Sequence, residues 1–229
     1  STPSNSSAAS DVYKRQALAY EKEALGFYFS SHPLAQYGHH LKRLVSHAIN
    51  ELEAVNNHDR EIMVAGIING MKQIKTRKDE RMATFVLEDM TGQLEVVVFP
   101  DAYRQNYEYL REDILVWVKG KLSPNSDSPR LILSEIMLLE EALEKLARKV
   151  VIRLYLPGLE KVLLEELKSL LAANRGQCPV YFELEKPLAF RLLVQSAEEE
   201  KVKPSTKLRQ QVENLLGENS FYVDYNNHY

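Results

Sequence analysis

The sequence predicts a small β-barrel followed by a smaller α+β domain, and three observations carry this prediction. Apolar residues alternate with other residues in three successive runs, Ile62–Ile68, Met82–Leu87 and Leu94–Phe99. Alternation over such lengths is typical of half-buried strands. Two further strand-like runs follow at 113–121 and 130–139. From residue 150 onward, strand-like and helix-like patterns alternate, which is typical of an α+β domain.

The connections between the first five runs favour one barrel topology. Gly92 ends a short turn between the second and third runs, where a tight hairpin needs a residue that adopts a left-handed conformation. A charged loop, 72–81, joins the first two runs, and residues 101–110 fit a short helix after the third. Five strands with a helix after the third is the order of an OB-fold, a small Greek-key barrel. We therefore predict an OB-fold nucleic-acid-binding domain at 59–140.

The remaining segments divide the chain further. Residues 1–16 are rich in Ser, Ala and Asn, and we predict that they are disordered, either as a leader or as a cloning scar. Residues 17–58 are predicted to form a helical lead-in, with its second helical run from Leu41 to Leu52. A charged connector at 141–149 precedes the C-terminal α+β domain at 150–229.

The C-terminal domain is predicted to have the order β-α-β-β-α-β. An amphipathic pattern predicts a helix over 159–173, and strands are predicted at 150–156, 179–184, 188–194 and 221–223. Ser205 or Thr206 can cap a second helix that ends at Gly217. Nothing in this pattern indicates a catalytic site.

Composition excludes several classes of protein. The 229 residues carry a net charge of −3, so no strong overall field draws the chain to nucleic acid or to an anionic membrane. The single cysteine rules out an internal disulfide and fits a reducing compartment. We find no signal peptide and no run long enough to span a membrane. We therefore expect a soluble cytoplasmic protein with no small-molecule substrate.

We also expect neither metal nor cofactor. Five of the six histidines fall between His32 and His58, but no cysteine or carboxylate is spaced with them as a tetrahedral site requires. Glu88 and Asp89 lie in a turn, where an aspartate ordinarily bonds the local backbone, so they are not predicted to be catalytic carboxylates.

The segment GIINGMKQIKTRKDERMATFVLEDMTGQLEVVVFPDAYRQ, residues 66–105, resembles the OB domain of the bacterial DNA polymerase III alpha subunits. EKEALGFYFSSHPL (21–34) is similar to the segment that leads into that domain. VVIRLYL, CPVYFEL and VKPS are similar to stretches of the family's C-terminal tail domain. The resemblance covers nearly all of the chain past residue 16.

The resemblance implies a C-terminal fragment of a replicative polymerase subunit. Its OB domain would bind single-stranded template DNA, and its tail would dock the tau subunit of the clamp loader in the replisome. The family is a DNA-directed DNA polymerase, a nucleotidyltransferase, whose catalytic aspartates belong to a palm domain that this chain lacks. We therefore expect no catalytic residue and no polymerase activity in this fragment.

The cations of the first loop are the predicted nucleic-acid-binding site, since Lys and Arg contact phosphates without reading sequence. The same site is predicted to include residues on the outer strand face and beside the loop between the fourth and fifth strands. The predicted contacts are Lys72, Lys75, Arg77, Lys78, Arg81, Thr84, Phe99, Lys119, Lys121 and Arg130. The outer face also carries Glu88 and Glu95, and Thr84 stands where related sequences often have an aromatic, which weakens it as a stacking platform.

Two other hypotheses stay open at this point. The chain could be a free-standing OB-fold that binds nucleic acid, including transfer RNA. It could instead be a protein-docking module whose barrel binds no nucleic acid, which the acidic strand face and negative net charge favour.

Overall fold

The computed structural model describes residues 32–55, 60–123, 128–197 and 200–225. The predicted leader and the first helical run of the lead-in lie outside the described residues. The described lead-in contains a 3₁₀ turn, Ala35–Tyr37, a helix α1, Gly38–Leu44, and a second 3₁₀ helix, Ile49–Ala54.

The prediction of one helical run from Leu41 to Leu52 is wrong. Helix α1 ends at Leu44, and Val45 is extended with φ −106° and ψ 155°. Ser46 then binds the first barrel strand, because its N–H donates to the carbonyl of Met63 at 2.8 Å. The N–H of Met63 donates in return to Ser46 Oγ at 2.9 Å. These hydrogen bonds compete with continuation of the helix, and the apolar spacing alone does not reveal them.

Five strands form the closed barrel that the sequence predicts. They are β1 Glu61–Lys75, β2 Arg81–Glu88, β3 Gln93–Val98, β4 Leu115–Leu122 and β5 Arg130–Leu138. Helix α2, Pro100–Asn106, and a 3₁₀ turn, Tyr107–Tyr109, connect β3 to β4. The strand order around the barrel is β1-β2-β3-β5-β4, with β3 and β5 parallel. The predicted fold class is confirmed.

Alternation places the predicted side chains inside the barrel. The inward residues of β2 and β3 are at most 2% exposed: Ala83, Phe85, Leu87, Leu94, Val96 and Val98. Gly120 of β4 permits the close approach of β5, since a Cβ there would lie 2.1 Å from the carbonyl oxygen of Ile132. The first strand departs from the half-buried prediction, because Ile62–Ile68 are buried on both sides of the strand.

The residues that follow the barrel in the chain form a second layer, which we call the C-terminal layer. Helix α3, Leu139–Lys145, connects β5 to this layer. The elements of the layer are β6 Ala147–Tyr155, α4 Lys161–Ala173, β7 Arg175–Lys186, β8 Phe190–Gln195, β9 Lys201–Val202, α5 Thr206–Leu216 and β10 Phe221–Tyr225. Its main sheet has the strand order β10-β6-β7-β8. The two-residue strand β9, which pairs with β7, is an addition to the predicted order. Ser205 caps α5, its Oγ accepting from the Leu208 N–H at 3.1 Å.

The outer surface of β1 and β4 joins the barrel to this second layer. Met63, Ala65 and Trp117 belong to the same buried cluster as residues of α1, α3 and the C-terminal sheet, whereas the barrel interior forms a separate cluster. Trp117 is 2% exposed, and its Nε1–H donates to the carbonyl of Leu44 at 3.2 Å. Packing therefore fixes the covered side of the barrel, and within the described part of the chain residues 72–75 of β1, with β2 and β3, lie outside this contact.

Candidate nucleic-acid interface

The predicted loop between the first two strands is mostly a β-ribbon. The β1–β2 ladder continues outward to the pair Lys75–Arg81, so that only residues 76–80 form the turn. Asp79 has φ 61°, and its N–H donates to the Thr76 carbonyl at 3.0 Å. The prediction of a loop over 72–81 is therefore wrong at both ends. Lys72 and Arg81 lie on strands, which fixes the side of the ribbon on which each one lies.

Most cations of the ribbon are available to a ligand. Lys75 binds Asp79 at 2.7 Å, but both side chains are largely exposed, so this pair adds little stability. The other four cations are exposed and form no ion pair with a described residue. They are Lys72, Arg77, Lys78 and Arg81.

Backbone pairing sets Lys72 beside the predicted outer face. Lys72 pairs with Thr84, and Thr84 pairs with Val97, so the three side chains form one row across β1, β2 and β3. Phe99 follows β3, lies one residue beyond the Ala83–Val98 pair and is 48% exposed. Thr84, Phe99 and Lys72 are thereby brought together on the side of the barrel that the C-terminal layer leaves open.

One carboxylate of this face is paired with a cation, and the other accepts hydrogen bonds from neutral side chains. Glu95 binds Arg130 Nε at 2.7 Å across the parallel β3–β5 ladder. Glu88 accepts hydrogen bonds from Asn69 Nδ2 at 2.8 Å and Gln93 Nε2 at 3.1 Å. Pairing with Arg130 offsets the charge of Glu95, so the face is less acidic than its sequence indicates. We call the outer surface of β2 and β3, together with residues 72–75 of β1 and with Arg130, the open face.

Two of the predicted contacts lie elsewhere. Lys119 and Lys121 share the side of β4 that carries Trp117, and β4 lies between β1 and β5, without pairing to β2 or β3. Lys119 is also bound to Glu61 at 2.7 Å. The structure does not bring these two lysines to the β1–β2 ribbon.

Helix α2 and the 3₁₀ turn that follows it contribute residues to a cleft beside the ribbon. Glu80, Arg81, Tyr103, Arg104 and Tyr107 line a cleft of about 410 Å³ between the start of β2 and α2. Tyr103 does pack against the barrel core, but Tyr107 is 66% exposed. The sequence does contain a pattern that indicates a possible ligand site here, because aromatic and cationic residues lie close together at 103, 104 and 107, just after a strand.

Cys178 is the one cysteine of the chain, and it is buried. Burial raises the pKa of the Cys178 thiol to about 11, so it stays protonated near neutral pH and is a poor nucleophile. No cluster of three or more metal-ligating side chains occurs among the described residues, and His58 lies outside them. Within the described ranges, no helix is both long and apolar enough to cross a membrane.

Comparison with known proteins agrees with the barrel. The family model described as an OB-fold nucleic acid binding domain matches residues 62–139. The DNA polymerase III alpha subunit of Bacillus subtilis is 34% identical over 74% of this chain and 15% of its own length. The same subunit of Pseudomonas fluorescens is 28% identical over 95% of this chain and 18% of its own length.

Solved structures also show a partial likeness to this chain. A mitochondrial single-stranded DNA binding protein of S. cerevisiae has 17% identity and a TM-score of 0.30, covering 35% of this chain and 93% of its own. A likeness this low says nothing about the ligand of this chain. The alpha subunits are the informative relatives, and the chain spans less than a fifth of the length of those two.

Proposed function

We propose that the barrel of this chain binds single-stranded DNA. The chain belongs to the DNA polymerase III alpha subunits, and it covers 18% and 15% of the length of the two relatives compared above. The observation that carries this proposal is the β1–β2 ribbon. It presents Lys72, Arg77 and Lys78, which form no ion pair with a described residue, beside an open face on which Glu95 is paired with Arg130.

The proposed contacts are mainly electrostatic. Lys and Arg side chains that replace counterions along a nucleic-acid backbone give affinity without sequence preference, and this affinity falls with salt. Phe99 and Ile74, which are 48% and 45% exposed, add apolar surface against which bases can pack. The Glu95–Arg130 pair would lie at the edge of the DNA-binding surface that is farthest from the ribbon.

The test is fluorescence anisotropy of a labelled single-stranded oligonucleotide at several salt concentrations. We expect Lys72→Ala/Arg77→Ala/Lys78→Ala to weaken binding and to flatten the salt dependence by about 2, since each phosphate contact contributes roughly 0.7 to the slope for single strands. Lys168→Ala/Lys186→Ala/Lys207→Ala is the matched control, because it removes the same charge from exposed positions of the C-terminal layer. Equal losses in the two variants would exclude the ribbon as the binding site.

We further propose that the C-terminal layer attaches the chain to the tau subunit of the clamp loader, as the family resemblance implies. The supporting observation is the edge strand β8. Phe190, Leu192 and Val194 are 47%, 52% and 40% exposed and continue the sheet beyond the half-buried Phe182 and Leu184 of β7. An exposed apolar edge strand of this kind is typical of a protein-interaction site.

The attachment can be measured by titrating purified tau into the intact chain. We expect Leu192→Glu to weaken the complex at least about tenfold, because it places a charge in an apolar interface. Lys207→Glu on helix α5 is the control. If Leu192→Glu binds tau as tightly as the unmodified chain does, β8 is not the docking site.

Polymerase activity is proposed only for the longer subunit. The 229-residue chain is expected to extend no primer, which a primer-extension assay with excess chain would check directly.

A further inference from the structure

The cleft beside helix α2 lies on the opposite side of the ribbon from the open face. Side chains alternate along β2, so Met82 and Thr84 lie on the open face while Arg81 lies on the other side. Arg81 there lines the cleft together with Glu80 and the helix residues Tyr103, Arg104 and Tyr107. Arg77 and Lys78 belong to the turn that links the two sides.

Tyr107 is the unusual residue of this cleft. It is 66% exposed although Tyr109, two residues further along the chain, packs against the barrel core. Its ring therefore offers an aromatic surface to the cleft at little cost in folding energy. Tyr103 packs against the same core and limits the cleft on its inner side.

The charges of the cleft favour a base inside it and a phosphate at its rim. Arg81 forms no ion pair with a described residue, so its guanidinium is available. Arg104 is held by Asp101 and by Glu80, the latter at 3.5 Å. The Glu80 carboxylate would repel a phosphate placed deep in the cleft, whereas it can accept a hydrogen bond from an amino group of a base.

The size of the cleft agrees with this division. A volume of about 410 Å³ is within the range of small-ligand sites, and it is open enough to admit a base that remains attached to a strand. Stacking on an aromatic side chain tolerates any base, because every base has a π face.

We propose that this cleft holds one nucleobase of a bound single strand, stacked on Tyr107, with Arg81 contacting the adjoining phosphate. The inference rests on the proposed function, because the strand would reach the cleft by passing round the cationic turn from the open face. Its ligand is thus a nucleotide unit of single-stranded nucleic acid, held at a position separate from the open face.

The test compares two labelled strands with the intact chain, oligo(dC) and a strand of the same length that lacks bases. Tyr107→Ala should weaken oligo(dC) binding by roughly 5- to 150-fold, the range that corresponds to the loss of one stacked base. Tyr107→Phe retains the ring and should bind as the unmodified chain does. Tyr155→Ala, which removes a similarly exposed tyrosine from the C-terminal sheet, is the matched control.

The strand without bases separates the possible results. Tyr107→Ala and the unmodified chain should bind it equally, which would support a base-stacking site. An equal loss on both strands would show that the cleft contacts backbone, which overturns the proposal. If Tyr107→Ala binds oligo(dC) normally while the ribbon variant is weakened, only the cleft is excluded. If the unmodified chain binds neither strand, the proposed function fails together with the cleft.

Discussion

The two halves of β1 differ in what covers them. Residues Ile62–Ile68 are buried, because one side faces the barrel interior and the other faces the cluster that contains Trp117. Residues 72–75 are exposed, and there the strand forms a ribbon with β2 that carries Lys72 and Lys75. A single strand therefore joins the barrel to the C-terminal layer at one end and presents cations to solvent at the other.

This difference explains the change in composition along the strand. A strand buried on both sides reads as a nearly continuous apolar run, whereas a strand exposed on one side or both admits charge. The register shift between Asn69 and Lys72, with Gly70 at φ 55°, separates the two halves. Substitutions in the covered half should change stability, and substitutions in the ribbon should change binding.

The largest effect is expected at the covered end. Trp117→Ala should lower the free energy of unfolding by about 3–5 kcal/mol, because it leaves a cavity between the barrel and the C-terminal layer. It also removes the donor that binds the carbonyl of Leu44. Urea unfolding at neutral pH measures the loss.

The matched comparison is Tyr107→Ala on the exposed side. Since Tyr107 is 66% exposed, its removal should change the free energy of unfolding by no more than about 0.5 kcal/mol. Similar losses in the two variants would contradict the contrast between the covered and open sides.

A second effect on the covered side depends on pH. His40 of α1 is 3% exposed, and its Nδ1 lies 2.7 Å from the hydroxyl of Tyr225. Burial, with smaller effects of the charges on Arg209 and His39, lowers the pKa of His40 from 6.5 to about 4. Its Nε2 is buried and has no hydrogen-bond partner among the described residues.

The sign of the pH effect follows from the lowered pKa. The unfolded chain binds a proton at His40 below about pH 6.5 and the folded chain does not, so the full stability is present above pH 6.5. Lowering the pH from 6.5 to 4 should remove about 3 kcal/mol through this residue alone. The difference in unfolding free energy between the unmodified chain and His40→Gln, measured across this range, isolates the effect from carboxylate titration. A difference that does not change with pH would contradict it.

Local patterns were enough to predict most of the strands. Phe85, Val96 and their inward neighbours alternate with outward residues, and this period needs no knowledge of the partner strand. The Ser205 cap was predictable for the same reason, since it depends on the residues of one turn.

The features that escaped prediction depend on contacts between distant residues. The charges of residues 72–81 predict a solvated loop, whereas pairing of β1 with β2 keeps most of this segment extended as a ribbon. The sequence also predicts an acidic face, because Arg130 is 35 positions away from Glu95 in the chain, although β3 and β5 place the two residues together. The exposure of Tyr107 likewise depends on how α2 packs against the barrel end.

The smallest expected effect on DNA binding concerns Arg130 at the edge of the open face. It tests whether the ion pair between Arg130 and Glu95 contributes to binding. Arg130→Ala should weaken single-stranded DNA binding at low salt by about fivefold. The substitution leaves the Glu95 carboxylate unpaired, and its repulsion of a nearby phosphate costs about 1 kcal/mol of binding free energy. Adding Glu95→Gln to Arg130→Ala should recover most of the lost affinity, while both variants unfold within about 1 kcal/mol of the unmodified chain. If Arg130→Ala has no effect while the ribbon variant is weakened, the bound strand ends at β2 and does not cross the barrel to β5.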